Sequence, residues 1–523
     1  MTQKAEWDTG KQVVQSLNMK YRLIFEGLAV GILASLVSVL YRLALDYSEQ
    51  GLHRIIDAAK QNIWIAVIWF AALIGMALIV GLLIKAEPMI SGSGIPQVEG
   101  EFAGYLDPCW WKVIMAKLAG GILCIFGGLS LGREGPSIQL GAMAGKGFSR
   151  TLRRPLSEEH FLLSCGASAG LSAAFNAPLA GIVFALEELH KTFSVQALLC
   201  TMTASLTADF ISKNVFGLSP IFHFSVEEMV PLEHYWMLVL LGLLLGVMGV
   251  IYNFVILGSQ TLYGKLKWIK PQFRLIIPFL CAGALGFLLP EILGGGHTMI
   301  ELLSNGKLAI GAMLFLFLAK FLFSALCFGS GAPGGIFFPL LVLGAYLGGA
   351  FGSTMVQTLG IDPSLINNFI ILAMAGYFTA IVRAPITGIV LVSEMSGSFS
   401  HLLSLGVVSI AAYLVAEGLK SAPIYESLLE RILKKQQFEE PKHAQGARET
   451  VEVVVEAGSV LEQKTISSIQ WPEDCLLVAI RRGTSELIPK GDTVLHPGDT
   501  MVALTDETNA PELKESLQKL ASV

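Results

Sequence analysis

Arg133 and Glu134 stand side by side in a stretch that is otherwise apolar and rich in glycine, GLSLGREGPSIQLGAMAG at residues 128–145. The chain around them is strongly hydrophobic: 53% of its 523 residues are hydrophobic and 15% are charged, against about 25% charged residues in soluble domains. An ionised side chain inside a membrane segment is costly and marks a functional position by default. These two residues are therefore the first candidates for a functional site.

Most of the chain consists of apolar runs of about 20 residues, which is the length needed to cross a bilayer. The runs are 23–46, 61–84, 113–131, 161–186, 194–213, 235–257, 274–294, 308–328, 336–356, 366–394 and 402–419. The sequence thus predicts an all-α, multi-pass membrane protein with a membrane domain over 21–435, whose halves are about 21–215 and 235–420.

The polar segments predict the orientation and the ends of the chain. Residues 1–20 are polar and lack an apolar core, so no cleavable signal peptide is expected. Basic clusters such as Arg150/Arg153/Arg154 predict cytoplasmic loops. Both termini are therefore expected in the cytoplasm, most simply at a bacterial inner membrane. A net charge of −5 favours no nucleic-acid partner, and the seven scattered cysteines form no metal-binding spacing. No cofactor is expected.

Two pairs of segments repeat within the chain. Residues 173–188 (AAFNAPLAGIVFALEE) match 380–395 (AIVRAPITGIVLVSEM) at an offset of 207, and residues 135–145 match 338–348 at an offset of 203. Matched segments in the same order indicate duplicated halves, a common plan in transporters, whose substrate sites lie where the two repeats meet. The recurrence of Glu187 as Glu394 predicts a structural role such as capping or pairing.

Glycine and proline interrupt the apolar runs at GSGIP (92–96), GREGP (132–136) and GAPGGIFFP (331–339). Proline is favoured in the first turn of a helix, where its missing N–H would have no partner anyway. Each motif therefore predicts a helix N-terminus within the membrane. Three converging N-termini would form an anion site, because they present free N–H groups and a partial positive charge.

These motifs, with NAPLAGIVFALEE between the second and third, resemble the signature of the CLC chloride channel and chloride/proton exchanger family over roughly residues 20–435. The resemblance implies a homodimer with one pore per subunit, built from two inverted halves of tilted and re-entrant helices. It implies chloride as the transported anion, bound by the hydroxyls of Ser93 and Tyr425 and the backbone N–H groups of Ile336 and Phe337. Neutral donors suit an ion that must also leave quickly.

The resemblance also assigns roles to charged residues. Glu134 would be the external gate and proton carrier, and Glu188 the internal proton-transfer residue that is typical of exchangers. Arg133, Gly135 and Phe338 would line the outer anion path, and Glu99 and Lys117 would form a structural ion pair. The family role of Glu188 favours a chloride/proton antiporter over the alternative, a passive voltage- or ligand-regulated chloride channel.

After residue 436 the composition changes to short β-type runs with turn signals, followed by the amphipathic segment APELKESLQKLASV. The sequence predicts a linker over 436–449 and a small α/β domain over 450–523. The stretch ELIPKGDTVLHPGDTMVAL is similar to the TrkA-C regulatory module, which implies a cytoplasmic regulatory domain that dimerises or binds a small ligand. A distant alternative for the whole chain is an intramembrane hydrolase using Glu187, Glu188 and His190, but EELH lacks the HExxH order of metal-binding helices.

Overall fold

The computed structural model describes residues 2–191, 193–220, 222, 224, 229–266, 268–304, 308–435, 448–456, 458–472, 475–482, 485–506 and 510–522. The chain divides into two compact units, Met1–Ile432 and Leu433–Val523. Of the predicted linker, residues 436–447 lie outside the described part.

The first unit is helical. The helices of its first half are α1 (Thr2–Gln61), α2 (Ile63–Ala86), α3 (Ile95–Phe102), α4 (Trp110–Phe126), α5 (Glu134–Thr151), α6 (Leu156–Phe175), α7 (Pro178–Phe184) and α8 (Val195–Phe216). They are followed by α9 (Tyr235–Lys265), α10 (Ile276–Leu288), α11 (His297–Ser304), α12 (Ile310–Gly329), α13 (Phe337–Leu359), α14 (Ile366–Val382), α15 (Pro385–Ser396), α16 (Leu402–Gly418) and α17 (Ile424–Lys435).

Within the described residues, eight helical segments are long and apolar enough to cross a membrane, which confirms the predicted multi-pass architecture. They are Tyr21–Gln61, Ile63–Ala86, Val195–Phe216, Leu232–Lys265, Pro271–Leu288, Ile310–Gly329, Phe337–Leu359 and Pro363–Val382.

Two of the predicted spans are each divided into two helices. The run 161–186 breaks between α6 and α7 at Asn176, whose φ is 52°, and the run 366–394 breaks between α14 and α15 at Arg383, whose φ is 74°. In both places the sequence X-Ala-Pro follows the last helical turn, and the residue before a proline is sterically disfavoured in the α conformation. The single-run prediction was wrong at these points because apolar composition continues across the break.

The three predicted helix N-termini are confirmed. Helix α3 begins at Ile95, α5 begins at Glu134 and α13 begins at Phe337, each with a proline inside its first turn. The motifs therefore begin helices, as their glycine and proline content predicts.

Contacts between the two halves are reciprocal. The Glu187 carboxylate accepts hydrogen bonds from the backbone N–H groups of Ile386 and Thr387 at the start of α15, at 3.1 and 2.7 Å. In return, the Glu394 carboxylate accepts from Leu179 and Ala180 at the start of α7, at 3.0 and 2.8 Å. Each copy of this glutamate caps the helix of the other copy, which confirms the predicted capping role and relates the halves by a local two-fold axis.

The second unit is a small α/β domain, as predicted. Its elements are β1 (Arg448–Val454), β2 (Leu476–Arg482), β3 (Ser485–Leu487), β4 (Thr500–Asp506) and α18 (Ala510–Ala521). The strands form an antiparallel sheet in the order β1-β4-β2-β3. Leu513 and Leu517 of α18 are buried in one core with Val451, Ile480 and Met501 of the sheet.

The HPGD turn of this domain is fastened by an ion pair. The Arg482 guanidinium donates two hydrogen bonds to the Asp499 carboxylate, at 2.8 and 2.7 Å, and the His496 backbone N–H donates a third at 2.9 Å. Burial opposes ionisation of Asp499, but these donors outweigh it and lower the pKa of the Asp499 carboxyl below its usual value.

Candidate functional site

The starts of α3, α5 and α13 meet at one place. Gly132 and Gly335 exchange backbone hydrogen bonds, with N to O distances of 2.7 and 2.8 Å, so the loops before α5 and α13 lie side by side. A Cβ added to Gly135 would lie 2.2 Å from Ser93 Oγ, so the loop before α3 touches the first turn of α5. Only glycine fits at position 135. The converging helix N-termini make this region favourable for an anion.

Two hydroxyls near this junction have no hydrogen-bond partner among the described residues. Ser93 is 2% exposed and Tyr425 is fully buried, yet Ser93 Oγ and Tyr425 Oη are both unpaired. The Tyr425 phenol, in the first turn of α17, lies within electrostatic range of Glu134 and Glu188. Buried polar groups are normally satisfied, so these two donors have the chemistry to bind an anion.

Glu134 is the first residue of α5 and is 1% exposed. A Cβ placed on Gly132 would lie 2.4 Å from Glu134 Oε2 and 3.2 Å from the Phe338 backbone nitrogen, so the carboxylate sits beside the first turn of α13. Glu134 Oε2 makes no hydrogen bond within the part of the chain that the structure describes. A carboxylate at this position competes with any anion for the same helix N-termini.

The side chains of α13 form an aromatic cluster around these backbone groups. The Phe337 ring lies 5.4 Å from Phe175 and 4.7 Å from Phe378, and the Phe338 ring lies 4.2 Å from the His297 ring, measured between centroids. Ile336 is the residue that precedes the first helical position of α13. The N–H groups of Ile336 and Phe337 thus lie at a helix start, where N–H groups have no intrahelical carbonyl to bond to. Apolar rings surround them.

A cavity of about 460 Å³ opens beside Arg133. We call it the Arg133 vestibule; the charged and imidazole side chains that line it are Arg42, Asp46, Glu49, His53, Arg133, His297 and Glu301. Arg133 donates to Asp46 at 2.7 Å, between Nη1 and Oδ1. Arg133 thus lies at the vestibule wall with its charge paired with a carboxylate.

Glu188 lies in a π-helical turn, Ala185–His190, directly after α7. Such turns are rare in proteins as a whole, and those that occur often lie at functional sites. The side chain is 8% exposed and hydrogen-bonds to the Glu99 carboxyl group, close to the ion pair between Lys191 and Glu426. Two carboxyl groups in one buried hydrogen bond can share a proton, which gives this cluster the chemistry of a proton-handling site.

The predicted ion pair between Glu99 and Lys117 is not formed. The buried Lys117 ammonium instead donates to the backbone carbonyls of Ile90 and Gly92, at 2.8 and 2.7 Å. These carbonyls belong to the loop that carries Ser93, and they satisfy the ammonium where it stands. The charge on Lys117 therefore positions the loop before α3, while Glu99 faces Glu188.

The sequence reasoning missed the equivalent lysine of the second half. Lys320 donates to the backbone carbonyls of Ile292 and Gly294, at 2.9 and 2.8 Å, in the loop that precedes α11. A signal was available: GSGI at 92–95 and GGGH at 294–297 lie at an offset of 202, and Lys117 and Lys320 at an offset of 203. His297, the last residue of the second motif, was missed with it.

The three residues of the hydrolase alternative do not act together. Glu187 caps α15, Glu188 bonds to Glu99, and His190 Nε2 lies 2.9 Å from Ser164 Oγ. Each side chain has a different partner, so the geometry offers no shared hydrolytic centre.

Comparisons with known proteins give matches for both compact units of the chain. The voltage gated chloride channel family matches residues 75–417, and the TrkA-C domain matches residues 450–518. The chain is 35% identical over 455 residues to the H(+)/Cl(-) exchange transporter ClcA of Klebsiella pneumoniae, covering 84% of this chain and 95% of that one. It is 36% identical over 454 residues to ClcA of Vibrio cholerae, covering 83% and 94%. A crystal structure of a slow cyanobacterial Cl−/H+ antiporter superposes with a TM-score of 0.76 at 30% identity, covering 79% of this chain and 99% of that one.

Proposed function

The chain belongs to the voltage gated chloride channel family, and on that premise we propose that it is a multi-pass membrane transporter that exchanges chloride for protons. The observation that carries the proposal is the arrangement of two buried carboxyl groups, Glu134 and Glu188, with the unpaired hydroxyl of Tyr425 within electrostatic range of both. Relatives at 35% and 36% identity bear the name of an H+/Cl− exchanger.

The proposed central chloride site uses neutral donors. Ser93 Oγ and Tyr425 Oη donate from side chains, and the backbone N–H groups of Ile336 and Phe337 donate from the start of α13. None of these groups carries a full positive charge, so the ion can bind strongly enough to lose water and still leave. The unpaired hydroxyls support this assignment because a bound anion would satisfy both.

Glu134 is the proposed gate and proton carrier. When ionised, its carboxylate lies at the same helix starts that attract chloride; when protonated, it loses that attraction and can move aside. Gly135 and the N–H of Phe338 then line the anion path toward the Arg133 vestibule, which we infer faces the outside, with Arg133 attracting anions.

Glu188 is the proposed internal proton-transfer residue. Its hydrogen bond to Glu99 and the nearby pair of Lys191 and Glu426 hold it in a polar cluster next to Tyr425. A proton can enter this cluster by a path that is separate from the path of chloride. The alternative of a passive channel needs no such carboxyl pair, so the cluster favours exchange.

We further propose a homodimer in the bacterial inner membrane with both termini in the cytoplasm, where residues 450–523 act as a regulatory domain that dimerises or binds a small ligand. The basic clusters of the sequence support the orientation. The match of residues 450–518 to the TrkA-C domain supports the regulatory assignment.

Proton movement in liposomes tests the exchanger directly. Purified protein is reconstituted with a chloride gradient and no proton gradient, and the external pH is recorded while the membrane potential is clamped with valinomycin and potassium. If the protein is an exchanger, protons move in the direction opposite to chloride and build up a pH gradient across the membrane. Chloride flux without any proton movement would establish the passive channel instead.

A further inference from the structure

His297 stands between two cavities on the Arg133 side of the site. A small cavity of about 10 Å³ is lined by Glu134, Phe338 and His297, among others. His297 also lines the Arg133 vestibule, a property that it shares with Arg133 and Glu49. Of these three, the imidazole is the side chain that can both accept and donate a proton in its neutral form.

The small cavity has room for a single water molecule, since one water occupies about 10–15 Å³ on this scale. Its polar lining includes the Glu134 carboxylate and the His297 ring. The His297 ring lies 4.2 Å from the Phe338 ring, between centroids, and no protein group in the described part of the chain hydrogen-bonds to either ring nitrogen. As far as the described residues are concerned, both nitrogens are thus free to bond to water.

The loop before His297 is held in place from several directions. Lys320 binds the carbonyls of Ile292 and Gly294, and the Gly295 backbone N–H lies 3.5 Å from Glu49 Oε1. Gly296 has a φ of 111°, and a Cβ there would lie 2.9 Å from Val342. The backbone that leads to His297 is therefore held in place.

Charged and titratable groups line the two cavities beside His297 or act on it electrostatically. They are Arg42, Asp46, Glu49 and His53 of α1, Arg133 and Glu134 at the start of α5, Lys320 of α12, and Glu301 of its own helix. Burial and the three cations lower the pKa of His297 well below its usual value. The resting ring is neutral, with one nitrogen that donates and one that accepts.

We propose that His297 is a proton relay between the Arg133 vestibule and Glu134, working through one water molecule in the small cavity. This proposal rests on the proposed exchange function and adds to it the route by which the gate is protonated.

In the relay, a hydronium ion in the vestibule gives a proton to the accepting nitrogen of the ring and is left as water. The other ring nitrogen releases its proton to the cavity water, which at the same time passes one of its own protons to a Glu134 carboxylate oxygen. The ring and the cavity water each gain one proton and lose one, so both end neutral; the net change is that hydronium becomes water and the Glu134 carboxylate becomes a carboxylic acid. A flip of the ring restores the starting tautomer, and the reverse sequence releases the proton outward.

The first test compares His297→Phe with His53→Phe in the liposome assay. Phenylalanine keeps an aromatic ring against Phe338 but cannot carry a proton. His53 is exposed and lines the vestibule without reaching the small cavity. In His297→Phe, we expect the rate of coupled proton and chloride movement to fall about tenfold or more at a vestibule pH of about 8. At a vestibule pH of about 5, where hydronium is abundant, the rate should recover toward that of wild type. His53→Phe should match wild type at both.

The second test separates proton transfer from packing. In His297→Ala, imidazole added on the vestibule side should restore proton movement in proportion to its concentration, because the free base can enter the space that the side chain leaves. Wild type is measured in the same liposomes; failure of its exchange would refute the proposed function and not the relay alone. With wild-type exchange intact, a His297→Phe protein that exchanges normally at both pH values, or a His297→Ala protein that imidazole does not restore, would overturn the relay.

Discussion

The starts of α5 and α13 have the same backbone arrangement but different chemistry. Gly132 and Gly335 hydrogen-bond to each other across the local two-fold axis, and Pro136 and Pro339 occupy matching places in the first turns. Between them, one copy carries Arg133 and Glu134 and the other carries Ile336 and Phe337. The first copy supplies a titratable group, and the second supplies backbone donors inside an apolar shell.

The same division holds elsewhere in the two halves. Residues kept in both copies make structural contacts: Glu187 and Glu394 cap helices, and Lys117 and Lys320 bind loop carbonyls. The side chains of the candidate site lie at positions where the two copies differ. These pairs are Glu134 and Phe337, Glu188 and Met395, Ser93 and Gly295, and Ile95 and His297. The comparison indicates that duplication preserved the scaffold while divergence placed the transport groups.

The strongest expected effect is at Glu134. Glu134→Gln should abolish chloride-driven proton movement, with a loss of about a hundredfold or more, because the amide cannot take up or release the proton. Chloride flux should continue and become insensitive to pH. The measurement is paired chloride and proton flux in liposomes.

Glu394→Gln is the matched control for Glu134→Gln, since it makes the same substitution at a residue kept in both copies. Its ratio of chloride to proton movement should equal that of wild type. A changed ratio in Glu394→Gln, or an unchanged one in Glu134→Gln, would contradict the assignment of structural roles to residues kept in both copies and transport roles to residues that differ.

Stability should fall when either capping carboxylate is neutralised. Glu187→Gln and Glu394→Gln each weaken two hydrogen bonds to helix N–H groups, and bonds to a charged acceptor contribute about 1.5–3 kcal/mol each. We expect a loss of about 1–3 kcal/mol in each variant, measured by thermal unfolding in detergent. The loss should be slightly larger for Glu187→Gln, because the Thr387 hydroxyl also donates to Glu187, at 2.7 Å.

The smallest expected effect is at the two buried lysines. Lys117→Met and Lys320→Met leave two carbonyls unpaired but also remove the cost of burying an ammonium group. We expect both to lose about 1 kcal/mol or less and to lose similar amounts, since both lysines make two bonds of 2.7–2.9 Å. A large difference between the two variants in thermal unfolding would show that the two loops contribute unequally to stability.

Local sequence rules predicted the parts of this structure that depend on few residues. Glycine followed by proline located the starts of α3, α5 and α13, and the repetition of Glu187 as Glu394 predicted its capping role. The breaks at Asn176 and Arg383 were missed because hydrophobicity averaged over a run hides one residue in a left-handed conformation.

Long-range contacts were harder to predict. The family resemblance brought Lys117 close to Glu99, and a buried charge needs a partner, but the partners of Lys117 are backbone carbonyls, and every residue has a carbonyl. His297 was missed for a similar reason: a single histidine after three glycines is informative only once the fold places it beside Glu134.

The adjacent residues Glu187 and Glu188 give the most direct test of the central claim, because one is kept in both copies and the other is not. Chloride-driven proton movement and thermal unfolding are measured on Glu187→Gln and Glu188→Gln side by side. The account predicts that Glu188→Gln retains chloride flux and stability but loses proton coupling, while Glu187→Gln retains coupling and loses stability. Coupling that is lost in Glu187→Gln, or that survives in Glu188→Gln, would contradict it.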